Sequence, residues 1–195
     1  LSIRPRGSSD VASADFFAVP TLDVATAAWQ YDDLTGDVDV FTRHGHDVEL
    51  LDAARTRTLL DSPTYVGGLL RRGGNALVDP ARLGWALAEI ARGLGVVIHE
   101  HSPVVDIDVD GSRLVVATPD GAVTADRVVM ATNAYPGPVR RPRRYVVPVY
   151  DHVLMTEPLS GEQLASIGWS GREGVADAAN QFHYYRLSAD DRILW

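Results

Sequence analysis

Hydrophobic and polar positions follow several different periods along this chain, and each period predicts a different element. Residues 1–20 are short apolar pieces split by Gly and Ser, of which Phe16-Phe17-Ala18-Val19 suits a strand. From Asp23 to about His44, Val24, Ala27, Ala28, Tyr31 and Leu34 recur at helical spacing, followed by Val38 and Phe41. The Gly36-Asp37 step and Gly45 leave open whether this is one helix or two short ones. Glu49-Leu50-Leu51-Asp52 leads into a helix over roughly 53–60, which Pro63 stops, and Tyr65 to Leu70 suits a strand.

The middle of the chain is patterned more sharply. Asp79 can cap a helix with Pro80 at its first position, where a missing amide hydrogen costs nothing. Leu83, Leu87, Ile90 and Leu94 then mark one face until Gly93 and Gly95 end the helix. Val96 to Glu100 follows as a strand. Val105, Ile107 and Val109 alternate with Asp106, Asp108 and Asp110, the mark of a half-buried strand. Asp110-Gly111 and Asp120-Gly121 are turn signals, so an antiparallel ribbon is expected over 104–125. The run Arg127 to Thr132 is continuously apolar after its Arg, as in a central strand covered on both faces.

Beyond Pro136 to Pro142, a rigid basic linker, Tyr145 to Met155 suits a long strand. Ser160-Gly161-Glu162-Gln163 has capping-box spacing and starts a short helix ending near Ile167. Phe182 to Ser188 and Arg192 to Trp195 flank an Ala-Asp-Asp turn and form a hairpin. Adjacent strand residues face opposite ways, so Tyr184 and Arg186 share one face and Tyr185 takes the other unless the strand bulges.

Composition narrows the chemistry. The 195 residues are 46% hydrophobic, ordinary for a globular protein, and no apolar run approaches the roughly 20 residues that cross a bilayer. A net charge of -8 opposes general nucleic-acid binding. The basic cluster Arg140, Arg141, Arg143 and Arg144 is either a solvated loop or a local anion or enzyme contact. The absence of Cys removes disulfides, thiolate metal sites and cysteine nucleophiles, and makes a cytoplasmic setting the default expectation. A start without Met is what a processed or truncated chain would show. His44, His46, His99 and His101 lack a third ligand in register, so no metal is expected. No G-x-G-x-x-G, Walker, G-x-S-x-G or H-E-x-x-H pattern occurs. The lone G-x-G, Gly93-Leu94-Gly95, is a turn out of a helix.

Three stretches, Ala76-Leu77-Val78-Asp79-Pro80-Ala81-Arg82-Leu83, Gly95 to Glu100 and Ala131-Thr132-Asn133-Ala134-Tyr135, resemble the D-amino-acid oxidase-like family of FAD-dependent oxidoreductases. Gly45 to Asp52, Thr156-Glu157-Pro158-Leu159, Ile167-Gly168-Trp169 and Tyr184-Tyr185-Arg186-Leu187 extend the likeness toward its glycine oxidase, sarcosine oxidase and gamma-glutamylputrescine oxidoreductase branch. The resemblance covers roughly residues 20–195, without the family's amino-terminal dinucleotide fingerprint or its carboxy-terminal flavin-contacting segment. It implies a mixed α/β fold: part of an FAD/NAD(P)-binding domain with an antiparallel-sheet substrate domain. The substrate domain would take 1–75 and 145–195, and the FAD domain 76–144.

The resemblance also implies a reaction, oxidation of the C–N bond of an amine or amino acid, in which the carbon next to nitrogen delivers hydride to flavin N5. FAD is then expected for the parent enzyme and is in doubt for this piece, which alone is expected to be inactive. Its partners would be a small amine or amino acid and the remaining segments of the same enzyme, with no nucleic acid and no membrane. Val104 sits where the family brings backbone to the adenine edge of FAD, and Ala131, Thr132 and Asn133 follow a strand end where ligands of such folds lie. Tyr184, Tyr185 and Arg186 are the candidate catalytic group, because a planar guanidinium can fix a substrate carboxylate bidentately. His183 could serve as a base. The alternative is a non-catalytic binding or assembly module derived from a flavoprotein.

Overall fold

A computed structural model describes residues 16–135, 137–139, 141 and 144–195. Expectations for residues 1–15, and for Arg140, Arg143 and much of the Pro136–Pro142 linker, therefore fall outside the described residues. The chain divides into two compact units, one built from 16–90 and 153–195, the other from 91–152.

The first unit is organised on a six-stranded sheet. Its strands are β2 (Thr21–Ala25), β3 (Val48–Asp52), β4 (Gly67–Arg71), β9 (Gly174–Asp177), β10 (Tyr184–Leu187) and β11 (Ile193–Leu194). Their spatial order is β11-β10-β9-β2-β4-β3, antiparallel throughout except for the parallel β2–β9 pair. A small antiparallel ribbon joins β1 (Phe17–Ala18) to β5 (Ala76–Leu77).

Strand alternation sends side chains into two cores. Leu22, Val24, Leu51, Leu70, Val175, Tyr185 and Leu187 enter one face, with Leu60, Tyr65 and Trp169 packed among them. Helices α2 (Ala53–Leu59) and α4 (Gly161–Ile167) contribute Leu59, Leu164 and Ile167 to that side. On the other face Ala25, Leu34 and Leu69 form a second cluster with Tyr31, Val38, Phe41, Val48 and Leu50, under helix α1 (Ala28–Arg43). Gly67 lets α1 approach closely, since a Cβ there would overlap the Tyr31 ring and sit 2.9 Å from the Leu51 carbonyl, while Gly68 makes room on the other face for Leu22 and for Thr56 of α2.

The caps explain where the helices begin. In α4 the Ser160 hydroxyl accepts from Gln163 N at 3.2 Å while Gln163 Oε1 accepts from Ser160 N at 2.8 Å, and Gly168 ends the helix at φ 63°. Asp52 Oδ1 caps α2 through Arg55 N at 2.8 Å. Asp79 caps α3 (Pro80–Gly93) through Ala81 N and Arg82 N, at 2.9 and 3.1 Å. The helix expected from Asp23 starts later. Residues 21–25 are strand β2, and α1 runs unbroken through Gly36, its start held by buried Gln30 reaching back to Thr26 N and Ala27 N at 2.7 and 3.1 Å. Alternating burial of Leu22 and Val24 inside a sheet outweighs a helical spacing that is genuine only from Ala28 onward.

The second unit is a three-stranded antiparallel ribbon, β6 (Asp106–Asp110), β7 (Arg113–Thr118) and β8 (Gly121–Ala125). Gly111, at φ 61°, makes the first of its two-residue turns. Among the described residues of this unit none is buried. Three expected strands do not form. Residues 96–100 and 127–132 are irregular, and of 145–155 only Met155 pairs, in a single bridge to Leu194. A strand is completed by its neighbour's hydrogen bonds, and among the described residues no strand lies alongside the first two segments; Val129 is 88% exposed. The apolar face expected on α3 is likewise largely uncovered: Leu87 and Leu94 are exposed and only Ala86 is buried.

Candidate functional site

Strand β10 divides its side chains as the two-residue period requires. Tyr185 and Leu187 are buried in the first core, whereas Tyr184 is exposed and Arg186 half-buried on the opposite face. Register builds the floor around them. Tyr184 faces Ala176 on β9, Ala176 faces Asp23 on β2, and Arg186 faces Leu194 on β11. Helix α1 covers the β2-β4-β3 half of this face, where its apolar side chains gather over Ala25 and Leu69. Arg186 lies on the other half, and among the described residues no hydrogen-bond or ion-pair partner meets its guanidinium. Phe182 and Tyr184 pack beside each other with ring centroids 5.7 Å apart. A half-desolvated guanidinium without a carboxylate can receive a planar anion in two parallel hydrogen bonds.

The buried face of the same strand is a polar and aromatic network. The hydroxyls of Tyr65 and Tyr185 are hydrogen-bonded to each other in the core. Burial pushes both phenols above their ordinary value, and the nearby Asp177 carboxylate pushes in the same direction. Tyr185 stacks on Trp195 with centroids 4.7 Å apart and planes 8° from parallel, and meets Trp169 edge-on at 5.9 Å. His183 Nδ1 lies 2.6 Å from Asp177 Oδ2, and the imidazole sits 5.3 Å from the Trp195 ring centroid. His183 is thus tied to a carboxylate on the core side, away from the face of Arg186.

Asp23 also lies on the α1 face. It pairs with Arg71 at 3.0 Å, and Arg71 also stands 5.3 Å over the Phe41 ring. Burial holds the Asp23 carboxyl above its ordinary value, with Arg71 opposing the shift.

The cofactor-side candidates all fall in the second unit. Val104 lies two residues before β6 and is exposed; its neighbour Val105 donates its N–H to Ala117 O at 2.9 Å. Ala131, Thr132 and Asn133 form an exposed turn: Thr132 O accepts from Tyr135 N at 3.0 Å, and Asn133 adopts φ 51°. His99 and His101 lie in an irregular segment, and among the described residues no group of three His, Cys, Asp or Glu side chains could hold a metal.

Spacing along β10 pointed to Tyr184 and Arg186, but Tyr65, Asp177, Trp169 and Trp195 went unnoticed as neighbours. Tyr65 lies 120 positions from Tyr185. Only the pairing of the strands brings them together, and a single sequence has no signal for it.

A family described as FAD dependent oxidoreductase (DAO) matches residues 9–195. A probable oxidoreductase, OrdL, of Haemophilus influenzae is 36% identical over 154 residues, 76% of this chain and 35% of that protein. Gamma-glutamylputrescine oxidoreductase of Escherichia coli is 36% identical over 156 residues, 78% of this chain and 36% of its own length. The chain thus spans about a third of the curated relatives it matches. The crystal structure of glycine oxidase from Geobacillus kaustophilus superposes with a TM-score of 0.71 at 21% identity, over 93% of this chain and 48% of that one.

Proposed function

The chain belongs to the FAD dependent oxidoreductase (DAO) family, and from that premise we propose that it forms part of an enzyme oxidising the C–N bond of an amine or amino acid, with Arg186 holding the substrate carboxylate. One observation carries the assignment of Arg186: the residue is half-buried on the part of the sheet face that α1 does not cover, and no described residue neutralises it. Arginine keeps its charge at any accessible pH, so a binding partner is the natural way to offset its desolvation. Tyr184, on the same face of β10, packs against Phe182. Tyr185 is buried behind the strand, so its role is to fix β10 through the Tyr65 hydroxyl rather than to touch substrate. A small amine or amino acid is the substrate class this arrangement suits. Amine oxidation is what the name of the E. coli relative suggests, and the similarity to that protein supports it.

The substrate side is assigned to 1–75 and 145–195 and the FAD side to 76–144, bounds that differ from the two compact units at 76–90 and 145–152. FAD supplies the redox chemistry of the family. The residues present fit only the margin of such a cofactor. Val104 and the Ala131-Thr132-Asn133 turn offer exposed backbone beside small or short side chains. No glycine-rich turn between a strand and a helix is present to cradle a pyrophosphate, and segments 96–100 and 127–132 are not strands. A complete cradle therefore requires further segments of the same enzyme beside this unit, and a cytoplasmic location would suit such an assembly. Among the described residues no helix is long and apolar enough to cross a membrane.

The test is peroxide release by the full enzyme from glycine, sarcosine and an uncarboxylated amine, with Arg186→Gln and Arg186→Lys variants. The reading requires KM for the carboxylated substrates to rise at least roughly tenfold in Arg186→Gln, a loss on the scale of one charge-assisted contact, with little change for the amine. An equal effect on all three substrates would remove Arg186 from the substrate site.

A further inference from the structure

The ribbon of β1 and β5 carries an apolar side chain onto the sheet face that holds Arg186. Only Val19 and Pro20 separate β1 from β2, and Pro20 O accepts from Gly174 N at 3.2 Å, so the ribbon is fixed beside the start of β9. Within it Leu77 pairs with Phe17. A Cβ on Gly174 would lie 3.0 Å from Leu77 Cδ2, 3.8 Å from Leu77 Cγ and 3.6 Å from Thr21 Cγ2. Thr21 alternates with the core residue Leu22, and Arg186 with Tyr185 and Leu187, so Leu77, Thr21 and Arg186 stand on one side of the sheet. The antiparallel pairing of Tyr185 with Val175 makes Gly174 the next residue across from Arg186. Leu77 therefore takes the space of a missing side chain one strand away from Arg186, a spacing of about 4.8 Å. Both residues belong to the same compact unit, although 76–144 is assigned to the FAD side. Leu77 is itself half-buried, so part of its side chain stays free of the sheet.

We propose, resting on the reading of Arg186 as the carboxylate anchor, that Leu77 determines specificity at that site. Its isobutyl group sets how large and how polar a substituent the carboxylate-bearing carbon of the substrate can carry. A carboxylate held by two parallel hydrogen bonds has its carbon skeleton fixed in direction, and a substituent turned toward β9 meets Leu77. A hydrocarbon wall gains from every methylene it covers and penalises a hydroxyl or charge that loses its water there without a partner. Small aliphatic amino acids are the substrate class this wall favours. Gly174 takes part by leaving Leu77 room over β9. A methyl added at Gly174 pushes the end of the Leu77 side chain off the sheet, because that end yields more readily than the paired backbone. Leu77→Ala thus widens the site and Gly174→Ala narrows it.

The test compares kcat/KM of the full, FAD-loaded enzyme for glycine and for both enantiomers of alanine and 2-aminobutyrate. Methylamine, ethylamine and propylamine form the matching series without the carboxylate. Ratios between substrates within one preparation do not depend on how much of a variant is folded. Leu77→Ala is expected to raise the 2-aminobutyrate-to-glycine ratio roughly tenfold, the scale of a methylene in an apolar pocket. Gly174→Ala is expected to lower that ratio, and adding Leu77→Ala to it to bring the ratio back up. The propylamine-to-methylamine ratio should stay unchanged throughout, since no carboxylate fixes those amines against the wall. Amino-acid ratios unmoved in both single variants, or moved equally in the two series, would overturn the role of Leu77. Arg186→Gln separates this outcome from failure of the anchor itself. A preference for the carboxylated series that survives Arg186→Gln removes the anchor and Leu77 with it. A preference lost in Arg186→Gln, with substituent ratios still fixed in Leu77→Ala, removes Leu77 alone.

Discussion

The two units answer similar sequence patterns in opposite ways. In the unit of 16–90 and 153–195, short apolar strands from distant parts of the chain pair into one sheet, and every buried residue of the described chain lies there. In the unit of 91–152, runs that are at least as apolar stay irregular, and only the locally connected ribbon β6-β7-β8 forms. Hydrophobicity alone therefore does not make a strand. Leu22-Asp23-Val24 succeeds because β4 and β9 stand on either side of it and both faces are covered. Val128-Val129-Met130 has comparable apolar content and no neighbour among the described residues to accept its amides.

Amide hydrogen exchange puts the largest effect on that contrast. Amides of β2, β4 and β9 are expected to exchange roughly a thousandfold or more slowly than those of 96–100 and 127–132, since global and local opening energies differ by several kcal/mol. Equal protection in both units would erase the distinction. Core truncation comes next. Leu22→Ala and Leu69→Ala remove fully buried side chains and are expected to cost about 2–5 kcal/mol in urea denaturation. Val109→Ala and Val129→Ala, on exposed side chains, should stay within about 0.5 kcal/mol.

Glycines sharpen the same comparison at smaller scale. Gly67→Ala drives a methyl into the Tyr31 ring and should cost about 1–3 kcal/mol, whereas Gly121→Ala enters open space in the ribbon and should cost far less. A pH effect is smaller still. The Asp23 carboxyl is held above its unfolded value by burial, so the folded state favours the protonated form. Its contribution is full below the unfolded pKa and is lost as pH rises through the folded one. Wild-type stability should therefore decline across that acidic window relative to Asp23→Asn, which does not titrate there; parallel pH profiles would contradict the assignment.

Local signals were legible in proportion to how local their physics is. Asp79-Pro80, the Ser160–Gln163 box and Asp110-Gly111 fix caps and a turn within four residues, and each appears where its sequence places it. The split of Tyr184 and Arg186 from Tyr185 was readable because it depends only on strand alternation. The start of α1 was misjudged because Val24 and Ala25 serve a sheet assembled from β4 and β9, which lie far along the chain. The same limit hid Tyr65 and Asp177 behind β10. The FAD-dependent family was visible in the order of motifs, and the match over residues 9–195 agrees with it. Which residues meet substrate is a question of position across the sheet, and there the sequence offered the three neighbours Tyr184, Tyr185 and Arg186, of which Tyr185 faces the core.

Titrating the 195-residue chain with FAD, followed by flavin fluorescence and calorimetry, tests the division most directly. If the unit of 91–152 supplies only the margin of a cofactor site, the titration shows at most weak, unsaturated binding and unchanged hydrogen exchange over 91–152. Stoichiometric quenching with a submicromolar dissociation constant, together with new protection at 96–100 and 127–132, would show that these residues form a flavin cradle by themselves and would contradict it.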